Sequence, residues 1–383
     1  MEDLELLTKF RRDLHRIPEL SFDLPETTRY VRSVLADLSC EVTEPCEGCV
    51  CAYFNVDEAC GRAAGGPATA IRADMDALPI NENSGVSFCS TKPGHMHACG
   101  HDGHMAMALA AACWVNDVLA QVHAGAACPL PRNVLFVFQP AEETTGGART
   151  VCESGVFERY HADRIFGFHV WPDLPTGVVA TRPGPLLARA SETHVTIHGT
   201  SSHIAKSADG HDALLAGAHF LTGVEALMAG LSAEEPCLLK FGLMQSGAVC
   251  NAISAQTQTA GSLRVFSDEM FDRARAGVER CAREACEPYG CTYDLDFADG
   301  YPPVTNDAAL YGLAKGALGD ALELVPEPLL IAEDFAFYQR HLPGLFMLLG
   351  TGTGIPLHSD EFRMDESVLV RGLETYRTLL QTA

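Results

Sequence analysis

The sequence predicts an α/β protein with a smaller α+β unit inserted into it, and three observations carry that expectation. Apolar runs that read as strands buried on both faces, Asn133 to Phe138 (NVLFVF) and Ile165 to Val170 (IFGFHV), alternate with helical patterns, as in a mostly parallel sheet covered by helices. After the Pro/Gly punctuation TRPGP (181–185) the pattern changes. From Glu192 to His198 it alternates strictly, with Thr193, Val195 and Ile197 on one face and polar residues on the other, as in a half-exposed antiparallel strand. Finally, the chain has 383 residues, more than the roughly 250–300 at which one core stops growing.

The elements follow in order. Leu4, Leu7, Phe10, Leu14 and Ile17 recur at helical spacing until Pro18 ends the run, and Pro25 to Leu38 repeats the pattern with Val31, Val34, Leu35 and Leu38. Ala68 to Asp74 reads as a short strand leading to the acidic pair Asp74 and Asp76, and Gly103 to Ala120 as an alanine-rich helix. The inserted unit continues with a helix (about 211–230), strands (about 237–245 and 255–266), a helix (about 267–289) and a strand (about 291–297). GYPPVTND (300–307) closes it. A strand at Gly344 to Leu349 and a last helix near 366–381 complete the first unit. The expected domains are therefore 1–182 with 297–383, and an insertion at 183–296.

Composition excludes several functions. Lys and Arg total 27 against 50 Asp and Glu, a net charge of −23, whereas a nucleic-acid or anionic membrane partner needs clustered cations. The start, MEDLELLTKFRRDLHRIPEL, lacks the apolar core and cleavage site of a signal peptide. No run of about 18 apolar residues is read, so no membrane span is expected and the expected location is cytoplasmic. Fifteen cysteines, an odd number without a secretory signal, read as free thiols with a metal ligand among them. Cys46-Glu-Gly-Cys49-Val-Cys51 has half a zinc-knuckle pattern, but no second CxxC pair follows, so structural zinc is not expected there.

Chemistry concentrates in a few segments. PGHMHACGHDGH (93–104) packs His95, His97, Cys99, His101, Asp102 and His104 between a strand and a helix, with glycines that let the backbone turn. Thiolate, imidazole and carboxylate are the ligand set of Zn²⁺ and its borderline neighbours. Gln139-Pro140-Ala141-Glu142-Glu143 follows a buried strand, where adjacent carboxylates call for a cation; one can bind metal while the other takes a proton from water. His169, in an apolar run beside Trp171, reads first as a hydrogen-bonded core residue, and His358 in PLHSDE (356–361) carries the same open reading. His203 in GTSSHIAKS (199–207), Asn251 and Arg264 are polar positions of the inserted unit; Arg264 could hold a carboxylate bidentately.

Taken together, RRDLHRIPELSF (11–22), RADMDALPI (72–80), MHACGHDGH (96–104), VFQPAEE (137–143), GFHVWP (167–172), YPPVTND (301–307), AEDFAFY (332–338) and LHSDEF (357–362) resemble the M20 metallopeptidase family. They are most similar to its amidohydrolase branch of aminoacylases, hippurate hydrolases, auxin-conjugate hydrolases and N-acetyldiaminopimelate deacetylases. The resemblance implies a zinc-peptidase-like catalytic domain and an inserted ferredoxin-like dimerisation or lid domain. It also implies two divalent ions, Zn²⁺ first with Mn²⁺, Co²⁺ or Ni²⁺ open, on Cys99, His101, Glu143, His169 and His358. Glu142 matches the general base, Asp76 a supporting carboxylate, and Asn251 and Arg264 a grip on a substrate carboxylate. His203 matches a histidine that reaches the partner subunit's site in a homodimer and stabilises the oxyanion. The segment after it departs from the family's pattern, with Ile204-Ala205-Lys206-Ser207 and Asp209 placing charge near the expected substrate mouth.

The leading expectation is an amidohydrolase of N-acyl amino acids, a small-molecule enzyme without nucleic-acid or membrane partners. A deacetylase of a biosynthetic intermediate such as N-acetyldiaminopimelate, and a dipeptidase or carboxypeptidase of the same fold, are the alternatives. A non-catalytic, metal-dependent amide-binding protein is the reading from another class.

Overall fold

The computed structural model describes residues 2–144 and 146–383 and divides into two compact units. The first comprises Met1–Gly184, Thr305–Pro326 and Asp334–Ala383, and the second Pro185–Val304 and Glu327–Glu333. The second unit thus differs from the insertion read at 183–296: it runs on to Val304 and takes a short later piece as well. That piece joins because Leu329 N–H donates to Leu186 O while Ala188 N–H donates to Leu329 O and Ile331 O. Pairing between segments so far apart has no local sequence pattern.

In chain order the strands of the first part are β1 (Glu41–Thr43), β2 (Val50–Phe54), β3 (Ala68–Asp74), β4 (Asn133–Gln139), β5 (Ala162–Trp171) and β6 (Val179–Thr181). The chain passes along β7 (Gly184–Leu187) and forms β8 (Arg189–His198), β9 (Cys237–Ser246), β10 (Gln256–Val265) and β11 (Thr292–Phe297). It returns along β12 (Val304–Asn306) and ends with β13 (Leu322–Leu324) and β14 (Gly344–Gly350). The helices are α1 (Asp3–His15), α2 (Pro25–Leu35), α3 (Val56–Ala59), α4 (His101–His123), α5 (Gly147–Glu153), α6 (Val156–Arg159), α7 (Ala213–Leu231), α8 (Asp268–Cys286), α9 (Ala308–Leu318) and α10 (Val368–Leu380).

The large sheet of the first unit has the order β1-β2-β4-β3-β5-β14-β6-β13. Its centre, β4-β3-β5-β14, is parallel, while β2 and β6 run antiparallel to β4 and β14 at the two margins. Every residue of β3, β4 and β14 is buried, as expected of strands covered on both faces. Helix α4 makes the crossover from β3 to β4, and α1 and α10 pack on it. The expected α1 pattern holds at Leu7, Phe10 and Leu14, but Leu4 is exposed and Ile17 lies beyond the helix.

Helix α4 starts two residues before the predicted Gly103, so His101 and Asp102 occupy its first turn. Gly100 causes this. It caps the helix at φ 87°, in the left-handed region, and a Cβ there would stand 2.4 Å from Val170 Cγ2.

The second unit has the sheet order β11-β8-β10-β9, antiparallel throughout, with α7 after β8 and α8 after β10. This βαββαβ order is ferredoxin-like. Strand β8 alternates as read: Ser191, Thr193, Val195 and Ile197 are buried and the residues between them are not. Phe220, Val224, Leu239, Leu263, Phe271 and Val278 fill the core of this unit.

One expectation needs correction. Among the described residues α4 and α7 are both long and apolar enough, by length and composition, to cross a membrane. Counting uninterrupted apolar residues overlooks them because glycine, histidine and asparagine break the runs. Both bury apolar residues within their own units: Met105 to Ala112, Val115 and Leu119 of α4 join the main core, and Ala216, Phe220 and Val224 of α7 join the second.

A buried polar tie joins α1 to α4. Arg11 Nε donates to Asp102 Oδ2 at 3.1 Å, and His15 bridges Asp102 Oδ2 (2.8 Å, through Nδ1) and Glu82 Oε1 (3.1 Å, through Nε2). Burial alone would lower the His15 pKa, but the two carboxylates outweigh it and raise it to about 9. The imidazolium therefore stabilises the fold fully below about 6.5, and this contribution is lost as pH rises through about 9. The shift corresponds to stability on the order of 3 kcal/mol. Denaturant melts of the intact chain should show this decline between those two values, and His15→Asn should be less stable at pH 6 with a flatter profile. An unchanged slope in the variant would count against the charged bridge.

Candidate active site

Parallel strands bring their C-terminal ends to one edge of a sheet, where loops can gather polar groups. Here β4, β3 and β5 lie side by side and end in Gln139, Asp74 and Trp171. The segments that follow or approach these ends carry Asp76, Cys99, His101, Glu142, Glu143, His169 and His358, all within the first unit.

The edge is organised by a buried arginine. Arg72 is 1% exposed in the middle of the sheet. Its guanidinium donates to Asp74 Oδ2 (2.7 Å), Asp334 Oδ1 (2.8 Å) and Gln139 Oε1 (2.7 Å). Gln139 Nε2 donates to Asp334 Oδ2 at 2.7 Å, and Tyr338 Oη donates to Gln139 Oε1 at 2.9 Å. Asp334 Oδ2 also accepts from Ala148 N–H. The ends of β3 and β4, the start of α5 and the turn at Asp334–Arg340 are thereby held together.

The loop after β4 is set by Asp76, whose two carboxylate oxygens accept the N–H groups of Glu142 (3.0 Å) and Glu143 (3.2 Å). Ala141 adopts φ 55° and donates its N–H to Ser21 O, so the chain turns sharply before the two glutamates. Gly147 closes the loop: a Cβ there would fall 1.9 Å from Pro140 O. This explains the GG pair (146–147), with Gly146 capping α5.

Two donor sets share one thiol. Cys99, His101 and His169 form one group, and Cys99, Glu143 and His358 the other; within each, the ligand atoms lie within 4.8 Å of one another. His101, Glu142 and Glu143 form an overlapping third group. Cys99 Sγ is 3.3 Å from His169 Nε2, and His358 Nε2 is 3.3 Å from Glu143 Oε1.

Hydrogen bonds fix which ring atoms face this centre. His101 Nδ1 donates to Asp76 O at 2.8 Å, leaving Nε2 turned inward, 3.8 Å from Glu143 Oε1. His169 Nδ1 donates to Val170 O at 2.6 Å, leaving Nε2 toward Cys99. His358 sits at φ 65°, and its N–H donates to Ala98 O beside Cys99.

The electrostatics call for a cation. Burial would lower His101, but Asp74, Asp76 and Glu143 raise it to about 10. Burial, then the charges of Glu143 and Glu142, push the Cys99 thiol well up. Burial holds His169 down to about 3, neutral and ready to donate a lone pair. His101 Nε2 and Glu143 Oε1 are buried without a hydrogen-bond partner. Inward lone pairs, paired acids and a thiol form a donor set that fits divalent ions such as Zn²⁺.

The other histidines of the dense cluster differ. His104 accepts Val170 N–H at Nε2 (2.9 Å) and donates from Nδ1 to Asp74 (2.7 Å), so both nitrogens are occupied. It positions the strand carrying His169. His97 is buried, with neither ring nitrogen hydrogen-bonded. Asp102 belongs to the α1 tie and His95 contacts Pro18 O. The Cys46, Cys49 and Cys51 thiols do not form a metal-type group among the described residues.

His203, Asn251 and Arg264 lie in the second unit. His203 is exposed, its Nδ1 accepting Ala205 N–H, and Asn251 beside it accepts Ile204 N–H at its carbonyl. Arg264 is half-buried on β10, opposite Ala190 and Leu238. Sequence reasoning assigned no role to Arg72 or Asp334, and took His104 only as a member of the metal-type cluster. The available signal for Arg72 was a lone arginine inside a fully buried strand.

Comparison with known proteins shows the family. Residues 70–382 match peptidase family M20/M25/M40. A probable hydrolase of Synechocystis sp. is 35% identical over 97% of this chain and 94% of its own length. An uncharacterized hydrolase of Staphylococcus aureus is 34% identical over 99% and 98%. Among solved structures, a Staphylococcus aureus protein named as an aminohydrolase superposes with TM-score 0.88 at 28% identity, covering 99% of this chain and 96% of that one. A Bacillus subtilis dinuclear metal-binding peptidase of the M20 family gives TM-score 0.83 at 31% identity, covering 99% and 97%.

Cys99→Ala removes the donor common to both sets. Elemental analysis after dialysis should show a metal-to-protein ratio reduced by half or more, and an unchanged ratio would take Cys99 out of the centre.

Proposed function

The chain belongs to peptidase family M20/M25/M40, metal-dependent hydrolases of amide and peptide bonds, and on that premise we propose that it hydrolyses the amide bond of N-acyl amino acids, releasing a carboxylate and a free amino acid. The observation that carries the reading is the pair of donor sets sharing Cys99, with Glu142 beside them on a loop held by Asp76. Cys99, His101, Glu143, His169 and His358 hold two divalent ions, Zn²⁺ first, with Mn²⁺, Co²⁺ or Ni²⁺ as alternatives. Such ions supply the Lewis acidity that activates water and polarises the scissile carbonyl.

The chain's own residues do the rest. Glu142, only 7% exposed, takes a proton from the attacking water at its carboxylate and returns it to the leaving amine. Asp76 fixes where that carboxylate stands through two backbone N–H groups, so its role is positional. The Arg264 side chain has no hydrogen-bond or ion-pair partner among the described residues, and its fork grips a substrate carboxylate, with Asn251 as a second polar contact. His203 stabilises the oxyanion across a homodimer formed through the second unit. A deacetylase of a biosynthetic intermediate and a dipeptidase use the same centre and differ in the pocket. A cytoplasmic setting accords with this chemistry and with the free thiols.

Glu142→Gln should keep the metal content and lower kcat by at least about 10²–10⁴-fold on the best substrate of an N-acetyl, N-benzoyl and dipeptide panel; near-normal turnover would remove it as the base. A dipeptide as best substrate would replace the N-acyl reading with the peptidase one. In mixed dimers of His203→Ala and Glu142→Gln chains, one composite site is intact, so activity should return to a quarter or more of wild type. Verified heterodimers without recovery would place His203 elsewhere.

A further inference from the structure

Outside the proposed site, the turn before β2 and the start of that strand gather three thiols. Cys49 N–H donates to Cys46 O at 3.2 Å, closing a turn in which Glu47 and Gly48 separate two cysteines, and Cys49 Sγ lies 3.9 Å from Cys51 Sγ. Cys46 is partly exposed, whereas Cys49 and Cys51 are each 1% exposed. We propose that Cys46 and Cys49 are a modification site for small-molecule disulfides of the glutathione class, and that the bond formed between them disturbs the loop carrying Glu142.

The geometry supports both parts. A hydrogen-bonded turn holds its first and fourth residues at the Cα separation a disulfide needs. The neighbouring Cys49 thiol holds Cys46 below the ordinary thiol range, which favours the thiolate at the accessible position. The Cys49 thiol is pushed up, first by the neighbouring Cys46 and Cys51 thiols and then by burial, so it waits in reserve.

The sequence of steps balances. The Cys46 thiolate attacks one sulfur of oxidised glutathione, forming a mixed disulfide and expelling one glutathione thiolate. Cys49 gives up its proton and attacks the Cys46 sulfur, breaking the mixed disulfide and expelling the second. Two protein thiols are oxidised, one glutathione disulfide is reduced to two thiols, and the two protons pass to the products.

The link to the loop is direct packing. Gly48, at φ 69° between the two cysteines, lies so close to the loop that a Cβ on it would stand 3.1 Å from Pro140 Cβ and 3.0 Å from Phe22 O. Cys51 pairs with Val137 on the strand that leads into Pro140. A turn tightened by an S–S bond cannot keep that contact unchanged, and Pro140 is two residues from Glu142.

The test uses the full-length, metal-loaded protein and oxidised glutathione, read by alkylation and peptide mass mapping together with amide hydrolysis. The expected result is a loss of about 2 Da confined to a Cys46–Cys49 bond. Turnover should fall at least fivefold at constant metal content, and dithiothreitol should reverse both changes. Cys46→Ser should match the reduced wild type in activity and be refractory to glutathione disulfide. Cys49→Ala should instead trap glutathione on Cys46. A bond mapped only to Cys60–Cys128 or Cys49–Cys51, a stable adduct on wild-type Cys46, undiminished turnover of the fully oxidised protein, or equal inactivation of Cys46→Ser would each overturn the proposal. The mass readout needs no substrate, so it fails independently of the hydrolase reading.

Discussion

A charged guanidinium in the middle of a parallel sheet is a costly thing to bury, and the active-site edge is built around meeting that cost. Arg72 is compensated by Asp74 on its own strand, Asp334 from the last third of the chain and the Gln139 side chain at the end of the neighbouring strand. Removing either carboxylate would leave buried charge under-compensated, which is why such networks tolerate little rearrangement. The same contacts fix where β3 and β4 stop, and hence where Asp76 and the Glu142–Glu143 turn begin. Asp74 passes the constraint on through His104 to the backbone of Val170, beside His169. The proposed metal ligands are thus aligned by a polar scaffold behind them rather than by apolar packing alone.

Four of the residues that face the centre were legible in short dense motifs, while His169 and His358 stood out only through the family resemblance. Cys99 and His101 are two apart, and Glu142 and Glu143 are adjacent. The residues that hold them were not legible. Arg72 and Asp334 are 262 positions apart, and neither belongs to a pattern that points to the other. The main strands β4 and β5 were readable as continuous apolar runs, and β3 and β14 as short strands. The margin strands β1, β6 and β13 are three residues each, too short to show any period. Helix α4 was found but begun two residues late, because the reading took Gly100 as a flexible loop residue rather than the left-handed cap that starts a helix.

The second unit shows the converse. Its secondary structure was easy to read, since β8 alternates cleanly and each helix is framed by polar caps such as Asp212 and Ser267. Its chemistry was harder. His203, Asn251 and Arg264 are separated in sequence and surrounded by ordinary surface polarity, so only their resemblance to a family pattern singled them out.

The strand order has a consequence for how the protein is made. β14 fills the slot between β5 and β6, yet it follows them in the chain after the entire second unit. A ribosome adding roughly 5–20 residues per second needs on the order of 10–35 s to travel the roughly 170 residues from β5 to β14. Through that interval β5 and β6 present open backbone edges and an uncovered apolar surface. The second unit can close on its own ferredoxin-like core while the first waits. Assembly of the large sheet is therefore a late event of synthesis, and the newborn chain depends on being shielded from other strands until residue 350 has emerged.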